Sequence, residues 1–240
     1  MISSPPNNPE THGSPGGINI ISLRAAIFCI AEVNGKIARH IHEEGASTIP
    51  YVMMMDALMQ VSIVLDVDFK KAVEMKILRN EENYSVYQGH HIGNRAKLTT
   101  DHEDWVNAVG EVLSETTWEN PLLVPGVAFQ FMEWVREKLQ QSKKFVSDRG
   151  WSKHDTVGNL FASVLVETGE MVEPLQFVDE QSNSVAISMM GSLASEMADV
   201  FLYFIRLCDN IGMMDEMEDT ILDRAARAQG IADTILDWAV

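Results

Sequence analysis

The sequence predicts an all-α protein, a helical bundle, on the strength of three observations. Leu160, Val164, Glu167 and Met171 fall at i, i+4, i+7 and i+11, the spacing of one face of a helix, so Glu167 lies on the apolar side. The stretch 185–208 is almost wholly apolar. No β alternation or Asn-Gly hairpin signal is convincing anywhere in the chain. Together these patterns favour helices packed on helices.

The length and composition indicate a globular chain. Its 240 residues, 46% of them hydrophobic, can bury a substantial core as one or two domains. The formal net charge of −17 argues against non-specific nucleic-acid binding and would repel a triphosphate unless a divalent metal is bound. Cys29 and Cys208 lie in apolar helical patterns, which favours free thiols in a reducing compartment, and we expect a cytoplasmic protein.

The first half of the chain contains three predicted helices after a disordered tail at 1–17, which has four Pro, three Gly and no apolar segment of the secretory type. The first helix covers 18–44 and ends at Gly45 as a C-cap. The second starts after Pro50 and ends at Leu65. Asp68 caps the third, which reaches Tyr84.

The second half contains four predicted helices. A connecting segment at 85–123, with one helix near 102–116, leads into it. Pro125 then breaks the chain, and Gly212 marks a later turn. The helices are predicted at 127–147, from Asn159 onward, at 185–208 and at 216–238.

Two acid pairs stand on these helices. Glu167 and Glu170 lie three residues apart and share a face, as do Glu196 and Asp199 in the apolar stretch 185–208. An unpaired buried carboxylate costs several kcal/mol, roughly, even after relaxation, so four acids on facing helices would need a cation between them. Carboxylate-only ligands suit Mg²⁺ or Mn²⁺ rather than zinc.

A blander interpretation of these acids is a solvated helix face, since such pairs are common on helices. The Glu-x-x-Asp pair inside an apolar run is rarer, and the two pairs together favour a metal site. Glu196 and Asp199, in the middle of 185–208, also argue against a membrane span there.

A longer pattern around these acids resembles the all-α nucleoside triphosphate pyrophosphatases, the MazG-like superfamily, and most closely its dCTP pyrophosphatase branch. The resemblance covers about 125–212. His154 lies one residue earlier than in that branch, and Phe177 stands where the branch usually has Trp. The matching residues are Phe145, Arg149, Trp151, Asn159, Leu160, Glu167, Gly169, Glu170, Glu173, Glu196, Asp199 and Tyr203.

The first half resembles a degenerate copy of the same unit, which divides the chain into a degenerate repeat at 18–84, a connecting segment at 85–123 and an intact repeat at 124–240. In this alignment Glu32 corresponds to Glu167 and Asp56 to Asp199. Gly35 and Met53 replace the other two acids, and His42 takes the place of Phe177. The first copy therefore lacks two of the four acids.

The first copy has an element that the second lacks. Lys76, Asn80 and Tyr84 resemble the Lys-x3-Asn-x3-Tyr element that follows the acids in the family, whereas the corresponding places near Asp223 and Arg227 lack the Tyr. A cation and an amide suit phosphate and sugar contacts. We therefore expect one composite site per chain, built from both copies.

The resemblance implies a Mg²⁺-dependent hydrolase that splits a dNTP, with dCTP or a modified dCTP as the first expectation, into dNMP and pyrophosphate. Mg²⁺, or Mn²⁺ in its place, would be held by Glu167, Glu170, Glu196 and Asp199. The family further implies a homo-oligomer, with a dimer as the first expectation, acting on nucleotide pools without nucleic-acid or membrane partners. The implied substrate contacts are Trp151, His154, Asn159, Phe177, Tyr203, Lys76, Asn80 and Tyr84.

Two other interpretations stay open from the sequence. One is a dimeric-type all-α dUTPase, because residues 76–89 faintly resemble the closing motif of that family. That family, however, has its intact acids in the first half of the chain. The other is a helical metal- or nucleotide-binding interaction protein without enzymatic activity. Pyrophosphate release from a dNTP panel with and without Mg²⁺ separates them.

Overall fold

The computed structural model describes residues 20–41, 47–86, 121–178 and 187–238, and in these residues the protein is an all-α bundle. No β-strand occurs in the described ranges, which confirms the predicted fold class. The seven α-helices are α1 (Ile20–His40), α2 (Ile49–Leu65), α3 (Phe69–Asn83), α4 (Pro125–Asp148), α5 (Val157–Val172), α6 (Ile187–Asn210) and α7 (Met214–Trp238).

The helix ends follow local chemistry. The Asp68 side chain accepts a hydrogen bond from the backbone N–H of Lys71, so it caps α3 as predicted. Thr156 caps α5 in the same way by accepting from the N–H of Asn159. Gly212, with φ of +73°, makes the turn between α6 and α7, a conformation that favours glycine. The predicted tail at 1–17, the helix near 102–116, His42 and Gly45 lie outside the described residues.

Helix α6 is the centre of the bundle. It packs against α2, α3, α4, α5 and α7. Leu193, Met197, Phe201, Phe204 and Leu207 are all fully buried, which explains why its sequence is apolar nearly all round. None of the helices in the described ranges is both long enough and apolar enough to cross a membrane.

Aromatic side chains join α3, α4 and α6 beside the site. Phe69 at the start of α3 packs edge-on against Phe201 of α6, with ring centroids 5.1 Å apart. Trp134 of α4 stacks on Phe201 with ring centroids 5.5 Å apart and also meets the Phe69 ring at 5.9 Å. Such pairs add to the energy of area burial, about 0.5–1.5 kcal/mol each. These contacts fix the position at which α3 crosses α6. At this crossing Lys76 of α3 lies next to Asp199 of α6.

Two ion pairs connect the first half of the chain with the second. Lys76 on α3 of the first half pairs with Asp199 on α6 of the second half. Arg224 on α7 of the second half pairs with Asp56 on α2 of the first, both atoms of the Asp56 carboxylate accepting. Asp56 and Asp199 occupy corresponding places in the repeat alignment. Each of the two aspartates forms its ion pair with a basic residue of the other half. The repeat itself stays a prediction.

Candidate functional site

A cavity of about 650 Å³ opens between α3, the end of α4, α5 and α6. Acidic groups surround one end and aromatic rings the other. Eleven of the twelve residues expected to bind metal or substrate line it, namely Lys76, Asn80, Tyr84, Trp151, His154, Asn159, Glu167, Glu170, Glu196, Asp199 and Tyr203. The structure therefore brings together residues from both halves of the chain.

Phe177 is the expected site residue that the structure does not bring to the cavity. Its side chain is 94% exposed and it follows the short 3₁₀ helix Glu173–Leu175. At this position Phe177 does not line the cavity.

Three carboxylates meet at the acidic end. Glu167, Glu170 and Glu196 each present an oxygen within 4.8 Å of the others. Glu167 and Glu170 come from one face of α5, and Glu196 comes from the facing helix α6, as the three-residue spacing predicted. Glu167 is only 8% exposed, so solvent screens this cluster weakly.

Asp199, the fourth expected metal ligand, has a different partner. Its carboxylate forms an ion pair with the Lys76 ammonium, and both side chains are 14% exposed. Lys76 Nζ also donates a hydrogen bond of 2.8 Å to Ser195 Oγ, one helical turn before Asp199 on α6. Lys76 is thus held beside the three glutamates by two groups of the same helix.

Burial and the neighbouring carboxylates raise the pKa of two acids in the cluster. Burial, then the nearby charges of Asp199 and the other glutamates, raises the pKa of Glu167 to about 8. Burial likewise raises the pKa of Glu196 to about 7, while Lys76 and a hydrogen bond with Glu167 oppose the rise. Burial lowers the pKa of Lys76, but Asp199 and the glutamates outweigh it and the net pKa is raised. Near neutral pH, Glu167 and Glu196 therefore hold a proton between them.

This cluster fits a hard divalent cation. It offers only carboxylate oxygens, the ligands that Mg²⁺ and Mn²⁺ prefer. Burial first, and then the neighbouring carboxylates, raise the pKa values of Glu167 and Glu196, and a bound cation would offset both effects. Glu167, Glu170 and Glu196 are the residues that would hold the cation. Asp199 is paired with Lys76 next to them.

The other end of the cavity is aromatic. The Trp151 ring meets Tyr84 at 5.6 Å and Phe145 at 5.9 Å between centroids, both nearly edge-on. Arg149 lies over the Phe145 ring at 3.6 Å and donates hydrogen bonds to the backbone carbonyls of Tyr84 and Phe145. The arginine thereby ties the end of α3 to the end of α4, and these apolar faces suit a flat ring.

His154 and Asn159 form the rim between the two ends. His154 closes the 3₁₀ helix Ser152–His154, and its backbone carbonyl accepts a 3.0 Å hydrogen bond from Asn159 Nδ2. Both side chains are exposed to the cavity mouth. Tyr203 of α6 also lines the cavity, and burial raises its pKa, so its hydroxyl stays a neutral donor and acceptor.

Several lining residues were not expected from the sequence. Ser163 and Leu160 come from α5, and Asp155 and Arg206 lie near the aromatic end. Arg206 carried a signal, because it is one of three charges in the apolar stretch 185–208. Asp155 carried none, since an aspartate in a short loop is ordinary.

No family model matches this chain. No curated protein and no solved structure matches it either.

Proposed function

We propose that this protein is a Mg²⁺-dependent nucleoside triphosphate pyrophosphohydrolase of the MazG-like all-α type. It would convert a deoxynucleoside triphosphate and water into the monophosphate and pyrophosphate, with dCTP or a modified dCTP as the first candidate and nucleotide-pool maintenance as the role. The observation that carries the proposal is the cluster of Glu167, Glu170 and Glu196 beside Lys76, at one end of a cavity whose other end is aromatic.

The two ends suit the two parts of a nucleotide. Lys76 is the cation of the acidic end, and Asn80, one turn along α3, adds an amide for sugar or phosphate oxygens. The rings of Tyr84, Phe145 and Trp151 offer apolar faces for the base at the other end. Since α3 belongs to the first half and the glutamates to the second, one chain supplies both.

Bound Mg²⁺ would supply neutralisation of the triphosphate charge and activation of water. In the reaction, the oxygen of water bonds to the α-phosphorus while the bond from that phosphorus to the bridging oxygen breaks and pyrophosphate leaves. A carboxylate of the cluster Glu167, Glu170 and Glu196 is the acceptor within the chain for the proton that the water loses. Lys76 then faces the negative charge that develops on the phosphates.

The test is hydrolysis of dCTP, dUTP, dTTP, dGTP and dATP with Mg²⁺ or with EDTA, run in ¹⁸O-labelled water. We expect dNMP and pyrophosphate only with Mg²⁺, with the label in the monophosphate. Release of dNDP and orthophosphate would place the cleavage at another bond and overturn the proposal. No turnover of any of the five would favour the non-enzymatic binding protein.

A further inference from the structure

Arg206 is a buried cation whose hydrogen-bonding capacity is largely unused. It lies on α6, is 8% exposed and lines the cavity. Its Nε is buried and has no hydrogen-bond partner among the described residues. Its guanidinium lies over the Tyr203 ring at 4.9 Å, and its ion-pair partner is Asp155, 3.7 Å from Nη1. That distance is too long for a good hydrogen bond.

Asp155 brings an acceptor to the same place. Its side chain is 21% exposed, and burial raises its pKa while Arg206 and His154 oppose the rise. Its backbone carbonyl accepts a 2.7 Å hydrogen bond from Asn210 Nδ2, which fastens the loop after the 3₁₀ helix Ser152–His154 to the end of α6. The loop is therefore positioned to hold Asp155 against Arg206.

A second unused donor belongs to Trp151, which also lines the cavity. Trp151 Nε1 is buried and also lacks a hydrogen-bond partner among the described residues. An unsatisfied buried donor is costly, so two of them on residues that line the same cavity point to a ligand that supplies acceptors. The donors of Arg206 and Trp151 outnumber the single carboxylate of Asp155.

The position along α6 assigns this wall to one part of the ligand. Arg206 comes seven residues, close to two turns, after Asp199, which places it about 10 Å further along the helix. With the phosphates at Lys76 and the glutamates, this separation corresponds to the reach of a sugar and a base. Arg206 is therefore placed to contact the edge of the base rather than the phosphates.

We propose that Arg206 and Asp155 read the base edge and select bases that carry an exocyclic oxygen over adenine. This inference rests on the proposed function. Arg206 would donate to the keto oxygen, since charge-assisted hydrogen bonds to oxygen are the stronger kind. Asp155 would accept from an N–H of the same base, which is N3–H in uracil and thymine, N1–H in guanine and the exocyclic amino group in cytosine. Cytosine, uracil, thymine and guanine each carry such an oxygen, whereas adenine has none and offers the guanidinium only its ring nitrogens.

The experiment is equilibrium binding of dCMP, dUMP, dTMP, dGMP and dAMP by calorimetry, alongside turnover of the triphosphates. The variants are Arg206→Met, which keeps length but removes the donors, and Asp155→Asn. The matched control is Arg136→Met, because Arg136 pairs with Glu218 and Asp215 on the surface away from the cavity. Thermal unfolding of each variant checks folding, and Asp155→Asn keeps the test decisive should Arg206→Met not fold.

We expect the wild type and Arg136→Met to bind at least one keto-bearing nucleotide about ten-fold more tightly than dAMP, the discrimination of one good base contact. Arg206→Met should bring that ratio to within about two-fold by weakening the preferred nucleotide, and Asp155→Asn should reduce it. Equal binding of dAMP and the others by the wild type would overturn the inference, as would unchanged ratios in both variants. If the nucleotides were hydrolysed in that case, the proposed function would still stand. Absence of both binding and turnover would refute the two together.

Discussion

Lys76 and Asp199 form an ion pair that joins the two halves of the chain inside the cavity. Lys76 is a cation beside Glu167 and Glu196, and Ser195 holds it from the same helix as Asp199. The pair therefore serves both the fold and the site, because it fixes α3 on α6 and offsets the charge of the acids.

Replacement of Lys76 by Met should destabilise the protein and abolish turnover. The substitution leaves Asp199 and three glutamates without their cation, and stranding one member of such a pair costs about 3 kcal/mol. Chemical denaturation in EDTA measures this change in the free energy of unfolding. Added Mg²⁺ should narrow the difference from wild type, since the glutamates that would bind it are intact.

The matched control is Lys143→Met. Lys143 pairs with Asp209 at 2.7 Å, but the two side chains are 47% and 35% exposed. A solvated pair of this kind contributes below about 1 kcal/mol. Equal losses of stability in the two variants would show that the Lys76 pair has no special place in the site.

Glu170→Gln should abolish hydrolysis and weaken Mn²⁺ binding without unfolding the protein. The amide keeps the shape of the side chain but removes a negative oxygen from the cluster of three. In EDTA the variant should be at least as stable as wild type, because it relieves the repulsion that raises the pKa of Glu167. Mn²⁺ titration and turnover of a dNTP provide the measurements, and Asp199→Asn should also lose turnover.

Glu173→Gln is the control for this substitution. Glu173 lies three residues after Glu170, is exposed and does not line the cavity. Its replacement should leave both metal affinity and turnover within about two-fold of wild type, as is usual for a surface position. Near-full turnover by Glu170→Gln at saturating Mg²⁺ would rule out the acidic cluster as the metal site.

Stability in EDTA should fall with rising pH because of Glu167. Its pKa is about 8 in the folded protein and 4.5 ordinarily, so between these values the folded state binds more protons than the unfolded state. The stabilisation is complete below pH 4.5 and is lost as the pH rises through 8. The free energy of unfolding of the wild type relative to Glu167→Gln should therefore decrease from pH 5.5 to pH 8.5.

The comparison with Glu167→Gln removes the contribution of the titrating groups that do not interact with Glu167. Glu173→Gln again provides the control, since it should follow the wild type at each pH. Parallel pH profiles for wild type and Glu167→Gln would mean that Glu167 titrates near its ordinary value in the folded protein.

Each chain should bind one nucleotide, within itself. Lys76 reaches Asp199 within the same chain, whereas Asp56 is paired with Arg224 and lies beside Met53 in place of a second glutamate. Titration with a non-hydrolysable dNTP should give one site per chain. Mixing Lys76→Ala with Glu170→Gln protein should restore no activity, because neither chain contains a complete site; recovery would mean that the site forms between chains.

The spacing of apolar residues was sufficient to predict the helices and the acid pairs. Helical periodicity is local, so three-residue spacing alone places Glu167 with Glu170 and Glu196 with Asp199 on single faces. Caps are local as well, and Asp68 was recognisable for that reason. The lone charges in 185–208 marked α6 as more than core, since buried charge is costly.

Only the tertiary structure decided how these faces meet. The crossing of α3 over α6 pairs Asp199 with Lys76 and leaves Glu167, Glu170 and Glu196 as the group of three, which no spacing could distinguish. The same packing brings Asp155 to Arg206 and leaves Phe177 in solvent. Contacts between residues distant in sequence depend on which side chains fill the space between helices, and that choice belongs to the whole core rather than to any segment of it.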